Sequence, residues 1–248
     1  MFNSFLRNIS FKKKEERKVI CNGNTIQDFI KLYPTLKGIK ELILTEKDKY
    51  SCKELYLNYV KLVKKVIAES SFANNVHFPE VNRVLAYVIS YIQWSFYSQV
   101  FPKVPSEEDK LINQYCKAMK NLRPEEFDVK TQNINMSMFK LAIKELQKSE
   151  HEYTVEAKMN NYLTLHEVIG KGITTLTDKI PGADDITPII VYLIVQATPE
   201  MINSNIRYIE TYKVDINDKM TGEGDYCIRG LQMAVEFIKG FKRKHQTS

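Results

Sequence analysis

Glycine and proline are scarce here: nine glycines and eight prolines in 248 residues, too few to punctuate a turn-rich β-sandwich or barrel. Cysteine is equally sparse. Cys21, Cys52, Cys116 and Cys227 lie far apart, without the short spacings of a metal site or a redox pair, and read as reduced thiols. Long apolar runs are missing too. The longest, Ile186 to Ala197, is about half the length a membrane span requires and contains a threonine, a proline and a glutamine. Phe2, Phe5, Leu6 and Ile9 near the start are too interrupted by polar residues for a secretory leader, so the expected location is cytoplasmic.

What is present is an ordinary globular balance, 44% hydrophobic and 27% charged residues, rich in the lysine, glutamate, leucine and isoleucine that favour helices. The formal charge of +6 is spread over lysine-rich faces and comes with no nucleic-acid reading motif, so nucleic acid is not an expected partner.

Periodicity divides the chain into helices. A short one is expected over Thr25 to Tyr33, and Glu41 to Thr45 is either a strand or a helical turn. Leu55, Tyr59, Leu62 and Val66 mark the inward face of a helix from Cys52 to about Glu69, followed by a polar loop from Ser70 to His77. Pro79 opens a long helix to about Val100 that buries Val81, Val84, Leu85, Val88, Ile92 and Phe96. Ser106 followed by Glu107, Glu108 and Asp109 has the chemistry of a capped start, with Leu111, Tyr115 and Met119 inward. Helices over Asn135 to Lys148 and Thr154 to Gly170 follow.

In the last third, a helix beginning near Asp184 is apolar on two stripes and therefore buried. Thr198 and Pro199 read as the cap and first residue of the next helix, which ends at Tyr212. The last helix, about Glu223 to Phe241, has a core stripe of Cys227, Leu231, Ala234, Ile238 and Phe241. Tyr226, Arg229, Gly230, Met233 and Phe237 form a separate row. By residue chemistry alone, Asp184 and Asp185 are helix-terminus carboxylates, Pro188 is a proline of the first helical turn, and Tyr226 is a core tyrosine or an interface residue. No catalytic or metal-ligating cluster is evident, and no metal or cofactor is expected.

Two signatures stand in order. Pro181-Gly182-Ala183-Asp184-Asp185-Ile186-Thr187-Pro188 precedes an apolar helix through Tyr192, and after Ser204-Asn205-Ile206-Arg207-Tyr208-Ile209 comes Gly222-Glu223-Gly224-Asp225-Tyr226. This arrangement resembles the vacuolar protein sorting 9 domain, most densely from about Ile180 to Ile238. The resemblance implies an all-α fold in three parts: a basic arm (1–18), a helical bundle (19–91) and an exchange domain (92–245). It also implies guanine-nucleotide exchange on a Rab 5-type GTPase in endosomal trafficking, without covalent chemistry and with recruitment to endosomal membranes.

In that family the carboxylate matching Asp184 is directed at the GTPase's phosphate-binding lysine, and the tyrosine matching Tyr226 helps hold the remodelled GTPase loops. Asp185, Pro188 and Arg229 are the accompanying GTPase-binding positions. Arg229 departs from the family, which usually has a small hydroxyl residue there, and Cys227 stands where an aromatic is common. A catalytically silent scaffold with the same fold is the alternative. The basic arm, through Arg7, Lys12, Lys13 and Lys14 with Phe2, Phe5 and Leu6, is either a weak contact with anionic membrane or a solubilising tail.

Overall fold

The computed structural model describes residues 51–69, 78–133, 135, 137–177, 180–214 and 219–245. The basic arm, the expected helix over Thr25 to Tyr33, the segment Glu41 to Thr45 and the polar loop Ser70 to His77 lie outside the described residues. Among those described there are eight α-helices and no strand: α1 (Cys52–Glu69), α2 (Phe78–Val100), α3 (Glu107–Met119), α4 (Ser137–Glu150), α5 (Val155–Thr177), α6 (Ala183–Ala197), α7 (Ile202–Tyr212) and α8 (Lys219–His245), with 3-10 turns at Pro124–Phe127 and Thr131–Asn133. The all-α expectation holds, and no described helix is long and apolar enough to cross a membrane.

Two apolar cores form. The smaller joins Leu55, Tyr56, Tyr59, Val60, Val63 and Ile67 of α1 to Leu85, Val88, Ile89, Ile92 and Phe96 of α2. The larger runs from Phe101 to Ile238 and is built on the α4–α5 hairpin, α6 and α8. α2 runs unbroken from one core to the edge of the other, and Gln93 rivets the two at their junction. Its side-chain amide donates to the Tyr56 hydroxyl at 2.7 Å and the Tyr212 carbonyl at 3.0 Å, while its carbonyl accepts from Val155 N–H at 2.9 Å.

Several expectations need correction. Leu62 and Leu111 are exposed, at 39% each, and the core positions are their neighbours Val63 and Ile112. α5 extends one to two turns beyond Gly170, and α8 starts at Lys219, so Gly222 and Glu223 lie inside the helix. Thr198 does not cap the start of α7. It ends α6 with a left-handed backbone (φ 47°), and its hydroxyl donates to the Val195 carbonyl. α7 begins only at Ile202, and two carboxylates distant in sequence serve its N-terminus.

Glu150 accepts from the N–H groups of Glu200 and Met201 at 2.7 Å each. Asp109, fully buried, accepts from those of Asn203 and Ser204 at 2.9 and 3.1 Å and from the Ser204 hydroxyl. Asp109 also completes a capping box with Ser106 on its own helix. One carboxylate thus satisfies two helix starts, matching the need of exposed helical N–H groups for anionic acceptors.

Lys158 is the unexpected core residue. It has no solvent exposure, and its ammonium donates to the Ser149 carbonyl at 2.8 Å and to Asn205 Oδ1 at 2.6 Å, with the Phe101 and Tyr97 rings 5.0 and 5.4 Å away. Burial lowers its pKa from 10.5 to about 8, against the opposing pull of Glu150 and Glu152. Because the folded value lies below the unfolded one, the unfolded chain holds more protons between pH 8 and 10.5, and raising the pH stabilises the fold there. Buried Cys116 and Cys227, whose thiols are pushed up to about 12, act in the opposite direction, so the Lys158 effect is read as a difference: chemical denaturation should show the stability of the unmodified protein relative to Lys158→Met rising by about 2 kcal/mol between pH 8 and 10. A difference that does not change with pH would contradict the lowered Lys158 pKa.

Candidate functional site

α6 opens on Gly182, an extended N-cap residue (φ −87°, ψ 178°) with no side chain to cap the helix. Asp185 compensates by reaching back to accept from the Gly182 N–H at 3.2 Å, and its other oxygen lies 3.6 Å from the Lys130 ammonium. Asp185 is therefore engaged in holding the helix start. Asp184, beside it, is exposed and makes no hydrogen bond or ion pair among the described residues. The two adjacent carboxylates have been given different work by their positions on the first turn.

Pro188 is the sixth residue of α6, in its second turn and not its first as the sequence suggested. At that position it has a structural consequence. Lacking an N–H, it cannot donate to the carbonyl four residues back, which belongs to Asp184. The backbone oxygen of Asp184 is thus left without its helical donor, next to a free carboxylate, on an exposed turn.

Beyond Pro188 the helix turns into the core: Ile189, Ile190, Val191, Leu193, Ile194 and Val195 are all buried. α6 and α8 pack together, and Gly230 marks a close approach. A methyl group placed on it would come 3.6 Å from Ile190 Cδ1 and 3.3 Å from His166 Cε1. The crossing lies two residues past Pro188 and one past Arg229. At a rise of about 1.5 Å per residue, Asp184 is about 9 Å and Tyr226 about 6 Å along their helices from it.

The α8 row expected from the sequence is on the surface. Tyr226, Met233 and Phe237 are 46%, 59% and 42% exposed, and Arg229 is exposed with no ion pair among the described residues. Tyr226 is not a core tyrosine, and among the described residues the one aromatic ring it meets is that of His166, with centroids 5.7 Å apart at 68°. Cys227, by contrast, is buried, and burial pushes its thiol up to about 12, making it an inert core group.

Asp225 pairs with Lys213 at 2.6 Å, tying the end of α7 to α8 just before Tyr226. Sequence reasoning missed Lys130 and His166, since an isolated lysine and a lone histidine carry no periodic signal. It also left the Ser204-Asn205 dipeptide without a role. The structure makes it the meeting point of Asp109 and Lys158.

Among the described residues no cluster of histidine, cysteine and carboxylate side chains could hold a metal ion. Comparison with known proteins gives a consistent picture. Vacuolar protein sorting-associated protein 9A of Oryza sativa subsp. japonica is 26% identical over 155 residues, covering 60% of this chain and 32% of the relative. The protein of the same name in Arabidopsis thaliana is 27% identical over 161 residues, 62% of this chain and 31% of the relative.

Receptor-mediated endocytosis protein 6 of Caenorhabditis briggsae is 25% identical over 167 residues, 64% of this chain and 15% of the relative. The chain thus spans about a third or less of the length of these curated relatives. The model of the vacuolar sorting protein 9 (VPS9) domain matches residues 139–243, from α4 to the end of α8, including both helices of the candidate site. Over residues 139–243, this chain thus resembles the VPS9 domain family.

Proposed function

We propose that this protein is a guanine-nucleotide exchange factor for a Rab 5-like small GTPase in endosomal trafficking, with residues 92–245 as the exchange unit and the preceding helices as its support. The observation that carries this reading is the unpaired Asp184 carboxylate on the exposed first turn of α6, a helix packed against α8, which carries the exposed Tyr226 row. When a GTPase loses GDP and its magnesium ion, the phosphate-binding lysine and loop amides lose their counter-charge, at a cost of several kcal/mol per buried ion. A free carboxylate can replace the phosphate. Asp184 is free for that role because Asp185 alone holds the helix start, and Tyr226 stands ready to pack against displaced switch loops. No covalent bond is made or broken.

An exchange factor of this kind holds the nucleotide-free GTPase and releases it when nucleotide enters. Gel filtration should therefore give a complex with the nucleotide-free GTPase that comes apart on addition of GTP. A complex equally stable with GDP, GTP or neither would favour the scaffold reading. Endosomal recruitment of the protein and a weak membrane contact through Arg7, Lys12, Lys13 and Lys14 belong to the same proposal, with the attraction of basic residues for anionic lipid behind it.

Arg229 narrows the partner range. A long cation on the Tyr226 row replaces the small hydroxyl usual in the family, and an unpaired guanidinium in a partly desolvated contact is costly, so an accepted GTPase offers an acidic group or carbonyls within reach. Arg229→Thr should broaden the set of accepted GTPases, with relative rates shifting about tenfold for each 1.4 kcal/mol of lost discrimination. Unchanged relative rates across a GTPase panel would sink this assignment.

A further inference from the structure

Tyr226 is 46% exposed, and among the described residues the one aromatic ring that meets it is that of His166. His166 comes from the middle of α5, outside the two helices that carry the candidate residues, and turns its ring edge-on to Tyr226 at 5.7 Å and 68°. It reaches that place through a notch. Gly230, one turn beyond Tyr226 on the same face of α8, has no side chain where the imidazole lies, and a methyl group there would come 3.3 Å from Cε1 and 3.5 Å from Nε2. The same glycine faces Ile190 of α6, so the imidazole sits at the junction of α5, α6 and α8.

Neither ring nitrogen has a hydrogen-bond partner of good geometry among the described residues. Burial holds the imidazole pKa down at about 4, although the nearby Cys227 backbone pulls the other way. At neutral pH the ring is therefore uncharged. A buried, neutral histidine whose ring nitrogens have no more than a poorly aligned contact with the Cys227 backbone is poorly explained as a core filler, for which an aliphatic or phenyl side chain would avoid the cost of desolvation. Its geometry suits an edge-to-face contact that fixes the orientation of a neighbouring ring.

We propose that His166 is a positioning residue for Tyr226: lodged in the Gly230 notch, it holds the tyrosine ring in the orientation that meets the GTPase, so that the ring does not have to be ordered during docking. This rests on the exchange reading for its consequence, but the contact itself concerns the free protein. Exposed aromatic side chains otherwise hop among rotamers, and fixing one beforehand removes that entropy from the binding step.

The test pairs kinetics with a measurement that needs no GTPase. His166→Leu keeps an apolar filler but removes the aromatic edge, and His166→Phe restores the edge. Exchange by His166→Leu should lose about three- to tenfold in kcat/KM, mostly through KM for the GTPase, while His166→Phe stays close to the unmodified protein. In a Tyr226→Ala background the change at His166 should have no further effect.

In the free protein, the ring carbon signals of Tyr226, assigned by Tyr226→Phe, should move and broaden in His166→Leu with the Tyr97 signals unchanged. Unaltered kinetics with an unmoved Tyr226 signal would overturn the proposal, as would an equal loss in the Tyr226→Ala background. If the unmodified protein exchanges nucleotide on no GTPase, the exchange reading fails. The Tyr226 signal then still decides whether His166 holds the ring.

Discussion

Asp184→Ala is expected to lower GDP-release efficiency by about two orders of magnitude while leaving the unfolding midpoint nearly unchanged. A carboxylate about 4 Å from an ammonium at an effective dielectric near 20 gains roughly 4 kcal/mol, and each 1.4 kcal/mol is tenfold. Partial solvation of an exposed turn reduces that ceiling. Stability should be spared because Asp184 makes no hydrogen bond or ion pair among the described residues.

Asp185→Ala should do the opposite. It removes the acceptor of the Gly182 N–H and the partner of Lys130, costing about 0.5 to 1 kcal/mol of stability with a much smaller loss of exchange. Parallel steady-state exchange assays and thermal melts on both variants check the pair. Equal kinetic effects would undo the division of labour between the two carboxylates.

The largest loss of stability is expected at Asp109. In Asp109→Ala, the N–H groups of Asn203 and Ser204 and the Ser204 hydroxyl lose their acceptor inside the protein, and Ser106 loses its capping partner. Each buried donor left unpaired costs about 1 to 3 kcal/mol, and water entering the gap recovers part of it, so a total of about 3 to 5 kcal/mol is expected. That is a large fraction of the roughly 5 to 15 kcal/mol that stabilises a domain. Urea unfolding would show it as a lower midpoint at an unchanged slope. A change below 1 kcal/mol would mean that the α3–α7 junction is held by packing instead.

Local pattern made most of the helices legible. Cys52–Glu69 and the end of α2 at Phe101-Pro102 fall where periodicity and proline chemistry put them, and the separation of the Tyr226 row from the Cys227 stripe is reproduced in their exposure. Errors arose where a distant group decides. Leu62 and Val63, like Leu111 and Ile112, are equally apolar neighbours, and only the opposing helix selects which turns inward.

Thr198-Pro199 has the residue types of a helix start, yet α7 takes its acceptors from Glu150 and Asp109, dozens of residues away in sequence. Lys158 would be assigned to the surface by any composition rule. Its burial depends on a carbonyl from α4 and an amide from α7 meeting at one point.

The candidate site divides in the same way. The Ala183-Asp184-Asp185-Ile186-Thr187-Pro188 signature and Tyr226 were recognisable as sequence, because their spacing is local. The groups that hold Asp185, the Gly182 N–H and Lys130, and the α5 ring against Tyr226 are brought in by the fold, so these partners could not be read from spacing.

The measurement that bears most directly on the central claim is the release of fluorescent GDP from a panel of purified Rab GTPases, with and without this protein, in excess GTP. The account predicts catalytic acceleration for at least one Rab 5-type member. With the protein shown to be folded, the absence of acceleration on every member of a complete panel would contradict it.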